Sequence, residues 1–306
     1  MKDRLYRSFF RKFKPDVIHV HNISRFGLGP IKVAKKEGIP IVWTFHDYAG
    51  VCPNTLLFRP NRTVCKDRTQ CMSCNNLVVP YNYSQLYELL DDVSCVVASD
   101  YVKSQYAEVI STKRVYWDAD PFLLDMPSRD FRGRTILFGG RLDEEKGVRF
   151  AIIAFKRIVG KYPDSRLILA GTYRQDIFTR LLRIYDIEKN VDYVGSMPWQ
   201  EYINTVRNSA AVLCTSIWAE PFNLSMLEAM ALGKPVIATG VGGQTEVVGD
   251  SGIIIQPKSS HAIFEAVCDI FSDRGRYKQL CEKGKKRAKN FRGGAEEYLK
   301  IYESLI

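Results

Sequence analysis

The stretch AEPFNLSMLEAMALGKPVIATGVGG, residues 219–243, decides the fold. Its two glutamates, Glu220 and Glu228, stand eight positions apart, and only the second falls in a helical pattern, MLEAMAL at 226–232. The apolar run PVIAT (235–239) then reads as a buried strand and GVGG as the turn after it. Just upstream, AVLCT (211–215) is another such strand. Two buried strands joined through a single helix imply a parallel crossover unit. Ser225 and Glu228 also have the spacing of a capping box, which by itself accounts for Glu228. A solvated loop carboxylate by itself accounts for Glu220. Position argues for more, because ligands of parallel α/β domains bind beyond the carboxyl ends of the strands, at helix N-termini. Carboxylates there repel phosphate but accept hydrogen bonds from hydroxyls, which suggests a ligand with sugars as well as phosphates.

Outward from this stretch the alternation continues. DVIHV (16–20), IVWTF (41–45), CVVAS (95–99), TILFG (135–139), RLILAG (166–171) and VDYVG (191–195) are short runs rich in β-branched residues. Helical patterns such as GVRFAIIAFKRIVGKY (147–162) lie between them. The expected class is α/β: two Rossmann-like domains, each a parallel sheet with helices on both faces. WDADPFLLDMPSRDFRGR (117–134) interrupts the pattern and reads as a linker. The expected division is 1–120, 121–290, and a helix over 291–306 that crosses back to the first domain.

Positive charge is supplied by GRLDEEKG, which follows TILFG. Gly140 permits a close backbone approach, and Arg141 and Lys146 can neutralise a diphosphate. A surface salt-bridge cluster of these two with Glu144 and Glu145 is the competing reading. TGVGGQTEVV adds Gly242 and Gly243 at a third strand-to-helix turn.

Taken together, GGRLDEEKG, EPFNLSMLEAMALGKPVIAT and GGQTEVV are very similar to the C-terminal half of the family 4 retaining glycosyltransferases, which have the GT-B fold. The resemblance covers most of residues 15–306. It implies that Arg141 and Lys146 bind the donor diphosphate, that Glu220 contacts the transferred sugar, and that Glu228 holds the ribose hydroxyls. The backbone at Phe222, Asn223 and Leu224 would face sugar and phosphate. The family usually has glycine where this chain has Asn223. PDVIHVHN and WTFHDYAGVCP also resemble family segments, which places His46 near the reacting centre and His21 and Asn22 on the acceptor side. Core or strand-end histidines remain the alternative for His19, His21 and His46. The implied reaction uses a nucleotide-sugar donor, UDP- or GDP-linked, with no cofactor required for catalysis. The implied acceptor is a glycan or lipid-linked hydroxyl, and front-face attack is assisted by the departing phosphate. Two other functions remain open: a non-catalytic nucleotide-sugar-binding partner subunit, and a sugar-nucleotide epimerase of the same fold.

Composition agrees with a globular protein: 306 residues, 46% hydrophobic and 25% charged. The longest apolar runs are far too short for a membrane span, and no signal peptide is read at the N-terminus, so a cytoplasmic protein is expected. The net charge of +10 is diffuse except in MKDRLYRSFFRKFK, where six basic residues face one acid. Its aromatics Tyr6, Phe9, Phe10 and Phe13 lie at helical spacing. An ordinary helix covering the sheet accounts for them, as does a peripheral anchor at the inner membrane face. No nucleic-acid-binding signature is present.

Of eight cysteines, Cys95, Cys214 and Cys268 read as core and Cys281 as lying on a polar helix. Cys52, Cys65, Cys71 and Cys74 fall in one loop ending in a Cys-x-x-Cys knuckle. The choice there is between a structural zinc and unligated thiols. VYWDAD (115–120) resembles the metal-binding Asp-x-Asp of the other glycosyltransferase fold, but Asp118 and Asp120 fall in the linker. Finally, family members usually carry further strand–helix units before the segment matching PDVIHVHN. By resemblance roughly 80 residues are missing. The N-terminal domain is therefore expected to be a reduced sheet of about four strands, with the 16–20 strand at or near an edge that an oligomer or partner chain would cover.

Overall fold

The structure, a computed structural model, describes residues 2–23, 26–65, 83–130, 133–173 and 178–306. The chain forms two compact units, residues 1–118 with 292–306, and residues 119–291.

The first unit runs α1 (Lys2–Phe13), β1 (Ile18–Val20), α2 (Gly29–Lys36), β2 (Ile41–Phe45), α3 (Tyr83–Leu90), β3 (Val93–Val97), α4 (Asp100–Tyr106) and β4 (Lys113–Arg114). All pairings are parallel, in the order β1-β2-β3-β4, so β1 is an edge among the described residues. β2 is buried at all five positions, because helices cover both its faces. In α1, Phe10 is buried and Tyr6 lies against Gly29 of α2, while Arg7 pairs with Glu37 at 3.0 Å. Leu5, Phe9 and Phe13, one turn apart, remain exposed on the adjoining stripe. The helix therefore covers the unit with one face and leaves a second apolar face bare. β4, which the apolar patterning misses, is only two residues long and carries Lys113 and Arg114.

The second unit continues with α5 (Pro121–Asp125), β5 (Thr135–Gly139), α6 (Val148–Lys161), β6 (Arg166–Ala170), α7 (Phe178–Tyr185), β7 (Val191–Gly195) and α8 (Trp199–Arg207). After them come β8 (Ala211–Cys214), α9 (Leu224–Ala231), β9 (Val236–Thr239), α10 (Gln244–Val248), β10 (Ile253–Ile255), α11 (Ser260–Ser272) and α12 (Arg274–Ala288). The strand order is β10-β9-β8-β5-β6-β7, all parallel. From β5 the chain winds to one side through β6 and β7, then returns to place β8 on the other flank of β5. The carboxyl ends of β5 and β8 are thus the topological switch point, where a crevice opens. Ile136, Phe138, Leu167, Leu169 and Leu213 of the sheet pack with Ile152 and Phe155 of α6 and Val267 of α11. Truncating wholly buried Phe155 to alanine would cost about 3–5 kcal/mol.

Residues 117–134 are not simply a linker. Asp120 caps α5, accepting from the Phe122 amide at 2.9 Å. Asp118 accepts from the Gly294 and Ala295 amides at 2.7 and 3.0 Å, at the start of α13 (Gly294–Glu303). Each aspartate serves a helix N-terminus, and no metal-binding cluster occurs among the described residues. Helix α13 belongs to the first unit, where Ile301 packs with Val42, Val96 and Val115.

Candidate functional site

The loops after β5 and β8 meet at the switch point and hold one another. Glu144–Lys146 form a single 3-10 turn, and the Ile217 amide donates to the Glu145 carbonyl at 2.8 Å. Gly147 has φ 78° and lies so close to the Thr215 carbonyl that a Cβ would overlap it. Only glycine permits that approach.

This contact delivers Lys146 to Glu220, 74 positions away in sequence. The Lys146 Nζ donates to Glu220 Oε1, which also accepts from Ser216 Oγ at 2.5 Å and from Trp218 Nε1 at 2.9 Å. Glu220 is 4% exposed. The ammonium also lies 5.4 Å from the centre of the Trp218 ring. A buried carboxylate needs a charge partner and further donors, and this one has both. All three donors converge on Oε1, which leaves Oε2 available to a hydroxyl. Gly242, at φ 70°, bridges to the Glu220 backbone; a Cβ there would fall 2.5 Å from both its amide nitrogen and its carbonyl oxygen. The Gly243 amide donates to the Glu220 carbonyl at 2.6 Å. The turns after β5, β8 and β9 therefore converge on one residue, Glu220.

Arg141, which follows Gly140, is tied to Asp143 at 2.5 Å and to Glu145 at 2.8 Å. Glu144 instead pairs with Arg149 at 2.7 Å. The salt-bridge alternative thus holds for Arg141 and fails for Lys146.

The capping box expected at Ser225 and Glu228 is not formed. The helix cap is Asn223, whose side chain accepts from the Met226 amide at 3.1 Å. Its backbone sits at φ 112°, where glycine is at ease and asparagine is among the better-tolerated alternatives. Asn223 Nδ2 also donates to Gln244 Oε1 at 3.3 Å. Gln244 in turn donates to Thr239, whose hydroxyl holds the Ser216 carbonyl at 2.6 Å. This chain of bonds fixes the Glu220 loop from behind. Phe222 is buried with its ring 5.7 Å from Phe291, and the Leu224 side chain is exposed.

Released from capping, Glu228 accepts from Trp199 Nε1 at 3.2 Å. Its carboxyl is pushed above the usual range by burial; the indole pulls the other way, and Asp120 adds repulsion. Trp199, 43% exposed and 6.2 Å from the Phe122 ring, had no signal in the sequence, because it opens α8, an element remote from Glu228 along the chain. Ser216 and Trp218 were findable, since they immediately precede Glu220.

His46 and His21 lie in the first unit, ring nitrogens 2.8 Å apart, with Trp117 5.4 Å from His46. His46 is pushed below its ordinary value by burial and then by His21. His19 contacts the Tyr302 hydroxyl at 2.6 Å and the Thr44 hydroxyl at 2.8 Å, so it ties α13 to β1 and β2 and is a structural histidine. Within the cysteine loop, Cys52 donates to Asn54 Oδ1 at 2.8 Å. Cys71 and Cys74 lie outside the described residues, and the zinc expectation with them.

Residues 128–287 match the family of glycosyl transferases group 1, and residues 2–71 match glycosyltransferase family 4. The phosphatidyl-myo-inositol mannosyltransferase of Mycolicibacterium smegmatis is 24% identical over 84% of this chain and 62% of its own. An uncharacterised glycosyltransferase of Methanocaldococcus jannaschii is 29% identical over 50% of this chain and 40% of its own, so the chain spans less than two thirds of either relative. A glycosyltransferase from Rickettsia africae superposes with a TM-score of 0.77 at 19% identity, over 99% of this chain and 80% of that one. Anabaena HepE, solved with UDP and glucose, superposes at 0.74 with 18% identity, over 99% and 81%. At these identities the likeness establishes the fold. The chain belongs to the glycosyl transferases group 1, the family 4 glycosyltransferases of GT-B fold.

Proposed function

We propose that the second unit binds a UDP- or GDP-sugar. The chain then transfers the sugar, with retention, to a hydroxyl of a glycan or lipid-linked acceptor in polysaccharide or glycolipid synthesis. The observation that carries this reading is the Glu220 carboxylate, held on one oxygen by Lys146, Ser216 and Trp218 at the switch point of the sheet. Such a group repels phosphate and accepts from sugar hydroxyls. Glu228, with Trp199 beside it, plays the same part for the ribose. In the reaction the bond from the anomeric carbon to the diphosphate breaks and a bond to the acceptor oxygen forms on the same face. The acceptor proton passes to the departing phosphate. The charge growing on that phosphate falls to Lys146, Arg141 and the N-terminus of α9. Arg141 already shares its charge with two carboxylates, so Lys146 carries the larger part. Because side chains supply this charge, activity should survive EDTA. His46, paired with His21, serves the acceptor side. The bare stripe of α1 makes peripheral contact with an anionic membrane face, and the β1 edge is covered by a second chain.

The test is a panel of labelled sugar nucleotides, with and without acceptor. Transfer that falls at least about 100-fold in Glu220→Gln and Lys146→Ala supports the reading. A donor that raises the melting temperature but is never cleaved would leave a binding subunit. Interconversion of the free sugar nucleotide would identify an epimerase.

A further inference from the structure

A cavity of about 630 Å³ opens on the second unit beside α12. It lies away from the Glu220 site. It is bounded by residues 128–130, which precede β5, and by Gly233, which precedes β9, whereas Lys146 and Glu220 follow the ends of β5 and β8. Five cations line it: Arg129, Lys278, Lys285, Lys286 and Lys289. Against them stand Asp130, which is ion-paired to Arg274, and Glu282. Among the described residues, Arg129, Lys278, Lys286 and Lys289 have no carboxylate within ion-pair distance. Lys285 donates to the Met126 carbonyl. Beneath them Lys234 is wholly buried, its ammonium on the Arg129 carbonyl at 2.9 Å.

Helix electrostatics accounts for part of this. Lys285 and Lys286 sit in the last turn of α12, where cations complement the dipole. It does not account for Lys278, near the other end of the helix, or for Arg129, from a different segment. Lys278, Lys285 and Lys289 are spaced seven and four apart, which puts them on one face, and like charges one turn apart repel. Burial, and then Lys289, push the Lys285 ammonium below its ordinary value, while Asp125 pulls the other way; an anion in the cavity would offset the repulsion from Lys289. The volume is that of a small-molecule site and exceeds a single phosphate.

We propose that this cavity binds a ligand carrying more than one phosphate group, independently of the donor site. The phosphates could belong to a soluble molecule or to a lipid headgroup. The experiment uses the full chain and inorganic pyrophosphate, with Cys281, which lines the cavity, as a local reporter. Pyrophosphate should slow alkylation of Cys281, followed by peptide mass spectrometry, at least about threefold. The variant Lys286→Ala/Lys289→Ala, which changes two exposed side chains, should lose that protection and weaken calorimetric binding by about 10-fold. A parallel arm measures co-sedimentation with vesicles of cardiolipin, which carries two phosphates, and of phosphatidylcholine, in a Phe9→Ser/Phe13→Ser background that removes the exposed aromatics of α1 and keeps its basic residues constant across the comparison. Loss of cardiolipin binding on the lysine substitutions assigns the phosphates to a headgroup. Protection by pyrophosphate without vesicle binding assigns it to a soluble ligand. If Cys281 is unprotected and neither kind of binding changes with the lysines, the proposal is overturned. Transfer activity would stand or fall separately on Glu220 and Lys146.

Discussion

Removing Lys146 should do two separable things. Glu220 is 4% exposed and the Lys146 side chain 22%, so Lys146→Ala leaves a buried carboxylate with two neutral donors, Ser216 and Trp218. Breaking a fully buried pair costs about 3–5 kcal/mol, but here the remaining donors and partial access of water reduce this to about 2 kcal/mol. For a unit of this size that lowers the melting temperature by about 4–8 °C. The assay is a double-mutant cycle by denaturant unfolding with Lys146→Ala, Glu220→Gln and the pair. If the two groups stabilise each other as the geometry indicates, the double variant should recover about 1–2 kcal/mol relative to the sum of the singles. Turnover should not recover, because neither replacement restores the charge on the diphosphate or the acceptor for the sugar hydroxyl. Additivity within about 0.5 kcal/mol would refute the buried-pair account. Recovery of turnover in the double variant would refute the separate catalytic roles.

Trp199→Phe keeps an aromatic surface but removes the bond to Glu228; we expect the donor KM to rise about fivefold with kcat little changed, and an equal fall in both would contradict ribose positioning. At Asn223, glycine should be within about 1 kcal/mol of wild type, since backbone relief offsets the lost cap. Alanine there should cost about 2 kcal/mol, with chemical denaturation as the measure. His19 is lowered from 6.5 to about 4, chiefly by burial and then by His21 and His46. The unfolded chain therefore takes up the proton first, so this contribution to stability is complete above pH 6.5 and is lost as pH falls towards 4. The melting temperature of His19→Gln should be lower at neutral pH but fall less steeply over that window. Phe9→Ser/Phe13→Ser should reduce pelleting with anionic vesicles at low salt, and unchanged pelleting would remove the α1 contact.

The amino-acid sequence alone determined the alternation of elements. Val, Ile and Leu runs such as IVWTF and AVLCT are apolar on both faces, and only a parallel sheet covered by helices buries both. It also marked Glu220, Glu228, Arg141 and Lys146, because each lies between a strand and the first two turns of the next helix, and local patterning reveals such positions. Two short strands escaped it, as did helix α5 in the stretch read as a linker. β4 is two charged residues, and β10, Ile253–Ile255, is too brief to show a period. Pairing was decided only in three dimensions. Nothing in residues 140–147 or 216–220 states that the two loops touch; that follows from β8 returning to the far side of β5. The same return separates Lys146, bound to Glu220, from Arg141, held by its own neighbours. Capping likewise passed from Ser225 to Asn223, because the approach of Gln244 and the positive φ at 223 belong to the packed loop and not to the helix sequence. That change is what frees Glu228 for Trp199. Local periodicity reports which face of an element is buried, whereas contacts between loops tens of residues apart depend on strand order, which periodicity does not encode.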